Sequence, residues 1–97
     1  MRFPFSRLQV QGSSMLPTFS PKQNLISFNW AYFFSQPKKG EVVMVKQSGK
    51  LIVKRISKVK DGNLFLVGDN PEKSTDSRQF GWVEKNQLVG KVIFKYN

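Results

Sequence analysis

Glu41-Val42-Val43-Met44-Val45-Lys46-Gln47-Ser48-Gly49-Lys50-Leu51-Ile52-Val53-Lys54-Arg55-Ile56 is the stretch whose reading decides the fold. Two β-branched apolar runs flank Gln-Ser-Gly-Lys, the pattern of a strand, a tight turn and an antiparallel partner. Alternation along the second strand puts Lys54 on one face with Ile52 and Ile56, and Arg55 on the other with Val53. A lysine between two isoleucines is an unusual choice. If that face is buried, desolvation disfavours the ammonium and lowers its pKa. Taking a lysine from about 10.4 to near neutrality costs about 4 kcal/mol, within what buried lysines sustain. The plainer alternative is an edge-strand lysine whose stem packs while its amine reaches water.

Further strands are predicted on both sides of this hairpin. Downstream, Lys60-Asp61-Gly62-Asn63 reads as a turn, residues 64–67 as a strand and residues 68–80 as a polar loop. Residues 88–96 supply a last strand with Gly90 inside it. Upstream, residues 8–11 alternate apolar and polar and run as a strand into Gly12; residues 20–24 form a turn and 25–28 a strand. Trp30-Ala31-Tyr32-Phe33-Phe34 either packs into the core or forms an exposed aromatic patch beside Lys38 and Lys39. The second reading suits a membrane interface. Strands at short spacing, turns of Gly, Asn and Pro, and no long helical period predict one mostly β domain over residues 1–97.

Composition narrows the chemistry by exclusion. There is no cysteine and no histidine. Disulfides, thiolate nucleophiles, Cys-ligated zinc and the Ser-His-Asp triad are all ruled out. A hydrolase built from this chain must take its base from a carboxylate or a deprotonated lysine. The formal charge of +10 attracts polyanions, whether nucleic acid, anionic lipid or acidic partners. No apolar run approaches the roughly 20 residues that cross a bilayer. Pro4, Ser6 and Arg7 interrupt any amino-terminal apolar region of signal-peptide type.

Gly12-Ser13-Ser14-Met15-Leu16-Pro17-Thr18 carries two hydroxyls behind a glycine. Such a stretch ordinarily makes a turn or a helix cap. Beside a neutral lysine amine, one of its serines becomes a nucleophile with a general base. The loop Gly68-Asp69-Asn70-Pro71-Glu72-Lys73-Ser74-Thr75-Asp76-Ser77-Arg78-Gln79-Phe80-Gly81 reads by itself as an Asp-Asn-Pro turn with Asx bonding.

Taken together and in this order, residues 12–18, Val53-Lys54-Arg55-Ile56 and residues 68–81 resemble the signal peptidase I (leader peptidase) family of serine endopeptidases, over about residues 10–92. The resemblance implies a compact, mostly β catalytic core of coiled antiparallel sheets and acyl transfer by a Ser/Lys dyad. It identifies Ser14, the serine before the methionine, as nucleophile, and Lys54, the lysine before Arg-Ile, as general base. It places the oxyanion donors at the Ser14 N–H and around Gly12, where some members carry a serine. It implies that Ser74 orients the Lys54 amine, that Asp76 pairs with Arg78 and that Asp69 pairs with Arg55. Val10, Met15 and Val53 match the small pocket before the cut; Phe19 stands where leucine is common. No cofactor or metal is implied.

The compact spacing is most similar to the short, anchor-less form seen in nickel-type superoxide dismutase maturation proteases. The implied partner is a precursor protein with an N-terminal leader or pro-peptide, with the chain cytoplasmic or in peripheral contact with a membrane. Two other readings remain: a general signal peptidase core that acts at a membrane with an anchor or partner, and a basic β-barrel that binds nucleic acid by stacking. The aromatics are clustered rather than spaced on alternate strand positions, so no nucleic-acid partner is expected. Replacing either Ser14 or Lys54 by alanine is predicted to abolish peptide cleavage, whereas Ser13→Ala retains much of it. Equal losses from the two serine changes, measured on one peptide, contradict this assignment.

Overall fold

Val42–Gln47 and Lys50–Lys60 pair antiparallel in the computed structural model, which describes residues 3–97. Ser48 and Gly49 turn the hairpin with φ of 52° and 79°, the left-handed geometry that a two-residue connection of twisted strands requires. Among the described residues seven strands form one sheet. They are β1 (Phe5–Gln9), β2 (Asn24–Phe28), β3 (Val42–Gln47), β4 (Lys50–Lys60), β5 (Asn63–Val67), β6 (Val83–Glu84) and β7 (Leu88–Tyr96). Neighbours run antiparallel in the order β1-β2-β7-β3-β4-β5-β6. The chain is therefore mostly β, with one continuous sheet in place of the several anticipated. Two four-residue helices, α1 (Ala31–Phe34) and α2 (Ser77–Phe80), lie in the connections.

Among the boundaries that differ from the sequence reading, three bear on the site. Strand β4 continues past Ile56 to Lys60 because β5 pairs with its second half, from Arg55↔Val67 to Lys60↔Asn63. Residues 50–54 pair with β3 alone, so one edge of that stretch stays open. Strand β1 starts at Phe5 and stops at Gln9. Val10 instead exchanges backbone hydrogen bonds with the following turn: its N–H donates to Gln23 O (2.8 Å) and its carbonyl accepts from Lys22 N–H (2.7 Å). The polar loop contains α2, which the sequence reading left out.

Alternation sorts the apolar residues onto the two faces of the sheet. One face buries Val43, Val45, Ile56, Leu64, Leu66 and Val83, with Tyr32, Ile52 and Phe80 against them. The other buries Val10, Met15, Phe19, Leu25 and Val53, with Leu8, Val42 and Val92 against them. Three strands separate β1 from β4. At about 4.8 Å per strand a flat sheet would hold them roughly 19 Å apart. Residues 8–11 and 50–54 nevertheless line one groove, so the sheet curls around the second cluster. The aromatic run divides. Tyr32 packs against the first cluster and donates to Glu41 Oε1 at 2.7 Å, while Phe33 and Phe34 are 73% and 79% exposed.

A buried polar knot holds β1, β2 and β7 in register. Ser27 Oγ donates to Asn29 Oδ1 (2.7 Å), and Asn29 Nδ2 donates to Ser6 Oγ (2.7 Å) and Phe3 O (3.0 Å). Gly90 gives this knot its room: a Cβ there would lie 3.0 Å from both Asn29 Cα and Phe28 O and overlap Asn29 Oδ1. Gly90→Ala is expected to lower unfolding stability by about 1–3 kcal/mol through overpacking and a disturbed buried amide. Urea denaturation checks this, and an unchanged midpoint refutes it.

Candidate functional site

Lys54 sits mid-β4 opposite Val43 and is 5% exposed. Its Nζ donates to Ser74 Oγ at 3.0 Å. Behind Ser74 lies the Asp76 carboxylate, whose side chain is fully buried. Oδ2 accepts from Ser74 Oγ (2.6 Å), Gly68 N–H (2.8 Å) and Arg78 Nη2 (2.6 Å). Oδ1 accepts from Arg78 N–H and Nε, both at 3.0 Å. Burial works against this carboxylate's charge, but the bonds from Arg78, Ser74 and Gly68 outweigh it and hold the pKa well below the usual range. An ionised carboxylate only accepts, so the Ser74 O–H must point at Asp76. That leaves the Ser74 oxygen to receive a Lys54 N–H. Burial pushes the Lys54 pKa below its ordinary value; Asp76 pulls it partly back and Arg78 pushes it further down.

Local sequence explains why Asp76 is held so firmly. It is the N-cap of α2: its side chain accepts from Arg78 N–H, and its own N–H donates to Gln79 Oε1 at 2.9 Å, a reciprocal capping box. Ser77 Oγ accepts Leu66 N–H at 2.8 Å and ties the same turn to β5. One short helix therefore carries both the carboxylate and its guanidinium.

The Ser14 segment is a compact turn, closed by Phe19 N–H donating to Met15 O at 3.0 Å and containing a cis Leu16–Pro17 bond. Two neighbours fasten it. Asn70 donates from its N–H to Ser14 O (2.8 Å) and from Nδ2 to Ser13 O (3.0 Å). Asp69 accepts Arg55 Nε and Nη2 at 2.8 Å each, and Thr18 Oγ1 at 2.5 Å. The Asp69 pKa is lowered, chiefly by the Arg55 bonds. Gly68 lies beneath both halves: a Cβ there would fall 2.6 Å from Ser74 Cβ and 2.7 Å from Ser14 O.

Ser14 and Lys54 open onto the same groove of about 360 Å³, also lined by Val10, Met15 and Val53. No hydrogen bond joins the two side chains among the described residues. Catalytic hydrogen bonds are commonly longer without substrate. The Ser14 N–H has no acceptor among the described residues, and Gly12 is exposed, with φ of 72°, outside the groove lining. Phe19 is buried behind the groove and lines a neighbouring one. Sequence reasoning gave no separate part to Thr18, Gly68 or Asn70. The signal was the Gly-Asp-Asn triplet itself, whose glycine and asparagine matter only once the Ser14 turn lies against them.

The family described as "Signal peptidase, peptidase S26" matches residues 1–57 and 54–97. The chain belongs to this family. Among curated relatives, signal peptidase I of Bacillus caldolyticus is 42% identical over 57 residues, 59% of this chain and 28% of that protein. Signal peptidase IB of Staphylococcus aureus is 49% identical over 35 residues, 36% of this chain and 18% of that protein. The chain thus matches under a third of the length of these signal peptidases. Among the described residues no helix is long and apolar enough to cross a membrane.

The two buried or half-buried carboxylates make a stability prediction for this signal peptidase family core. Folded Asp69 and Asp76 both lie below the ordinary 3.8. The stability they confer is full above that value and drains as pH falls through the lower folded values. Urea midpoints are expected to hold from neutral pH to about 5 and fall below about 4, less steeply for Asp69→Asn. Parallel falls for the two proteins refute the assignment to Asp69.

Proposed function

We propose that the chain is the catalytic core of a serine endopeptidase that removes a leader or pro-peptide from a precursor protein, with Ser14 as nucleophile and Lys54 as general base. One observation carries the reading: a desolvated lysine amine, held by a hydroxyl rather than directly by a carboxylate, opens on the groove that holds a turn serine. Neutral Lys54 takes the Ser14 proton as Oγ bonds to the scissile carbonyl carbon. The Ser14 N–H donates to the developing oxyanion, and a second main-chain N–H or a water completes the pair. The resulting ammonium gives its proton to the leaving amine as the C–N bond breaks. Water, deprotonated by Lys54, then hydrolyses the acyl-enzyme and frees Ser14.

The groove suits an extended peptide. Residues 50–54 offer an open strand edge along one wall, and residues 8–11 form the other. Val10, Met15 and Val53 narrow the wall beside Ser14 and favour a small side chain before the cut. The narrower substrate reading is the pro-form of a nickel-type superoxide dismutase, supported by the two-residue Asp61-Gly62 connection that makes the core so compact. Peripheral membrane contact is supported by exposed Phe5, Phe33, Phe34 and Phe94 on a chain of charge +10.

Incubating the protein with leader-bearing precursors, including that dismutase pro-form, and sequencing new amino termini tests the function. Cleavage that is absent, or that persists in Ser14→Ala, overturns it. The kcat/KM profile is expected to rise on the alkaline side with an apparent pKa below the ordinary 10.5 of lysine. A flat profile overturns the role of Lys54. Because a depressed lysine pKa costs stability at every pH below it, Lys54→Met is expected to be inactive yet more stable at neutral pH, on the order of 1 kcal/mol. A lower urea midpoint contradicts this.

A further inference from the structure

Asp76 stands two hydrogen bonds from the Lys54 amine, with Ser74 between them. A buried carboxylate in that place holds the Ser74 hydroxyl in the orientation that receives a lysine N–H. It also carries a charge that favours the ammonium, the wrong state for a base. The geometry resolves this conflict through Arg78. Its guanidinium meets both carboxylate oxygens, through Nε on Oδ1 (3.0 Å) and Nη2 on Oδ2 (2.6 Å), while its side chain stays 38% exposed. Arg78 therefore spans both carboxylate oxygens, shares Oδ2 with Ser74 and remains partly solvated, whereas Lys54 is almost wholly desolvated.

We propose that Arg78 is a positioning residue that keeps Lys54 neutral: it satisfies the Asp76 charge so that Asp76 orients the amine through Ser74 without protonating it. Were Arg78 removed, the cationic side chain still linked to the buried carboxylate would be Lys54, through Ser74. The opposing Asp76 and Arg78 influences on the lysine agree with this geometry. Other charged groups nearby are engaged elsewhere or lie at the rim. Arg55 points to the opposite face and pairs with Asp69; Glu41 on the β3 side is held by Tyr32 and Lys91; Lys50 is exposed at the groove mouth. The proposal takes its functional meaning from the Ser14/Lys54 reading, and its test does not depend on it.

The test is a pH titration of Lys54 by NMR in isotopically labelled protein, its resonance assigned by loss in Lys54→Met, with kcat/KM profiles alongside. Arg78→Gln is expected to move the Lys54 midpoint up by about one pH unit, the smaller end of what one nearby charge does. Asp76→Asn is expected to move it down. The double variant should return close to the wild-type value, and Arg78→Lys should restore most of the Arg78→Gln change. On the rising limb, a one-unit displacement lowers kcat/KM about tenfold, with activity recovered at higher pH. An unmoved midpoint in Arg78→Gln, or single-variant shifts in the same direction, overturns the proposal. If Arg78→Gln alone does not fold, Asp76→Asn and the double variant decide: the added Arg78→Gln change is expected to raise the Lys54 midpoint, and a purely structural Arg78 leaves it where Asp76→Asn put it. Shifted midpoints without any cleavage would leave this inference standing and remove the protease reading; cleavage with unmoved midpoints would do the reverse.

Discussion

The burial of one amine governs this structure. Lys54 lies on the face of β4 that also carries Ile52 and Ile56, and Val43 across the hairpin covers it. A lysine there destabilises the fold unless it gives up its proton or finds a counter-charge. The surroundings give it a hydroxyl and keep the nearest carboxylate occupied with Arg78. That compromise leaves the amine oriented and dry with its pKa lowered, the direction in which a lysine general base must be moved.

Two features build this site within the described residues. The first is that the loop after β5 serves both partners at once. Asp69 and Asn70 reach the Ser14 turn, Ser74 and Asp76 reach Lys54, and Gly68 lets the two groups approach because it has no side chain to keep them apart. The second is division of the core. One cluster lies beneath the lysine and the other beneath the serine, and the curled sheet is the wall between them.

The first hairpin and the turn of the second could be read directly from the sequence, because Ser48-Gly49 and Asp61-Gly62 fill their left-handed positions locally. Strand β7 was equally plain as an apolar run with Gly90 inside it, although its register shifts against both β2 and β3 could not be seen there. Helix α2 was not, since four residues carry no helical period; its existence rests on the Asp76 cap. The aromatic run was ambiguous for a similar reason. Its aromatic residues have two fates, with Tyr32 drawn inward by Glu41 while Phe33 and Phe34 stay outside.

What the linear chain determined was which groups exist to do chemistry and which do not. Without histidine or cysteine, the base of any hydrolase had to be a carboxylate or a lysine, and the resemblance of the three motifs in order is what pointed to Ser14 and Lys54. Whether that lysine is dry could not be decided by alternation, which states only that it shares a face with Ile52 and Ile56. The face is closed over the amine by the Ser74–Asp76 turn, a segment that reaches Lys54 through long-range contact alone. Desolvation belongs to the assembled neighbourhood rather than to any residue, so it came into being only with the tertiary fold.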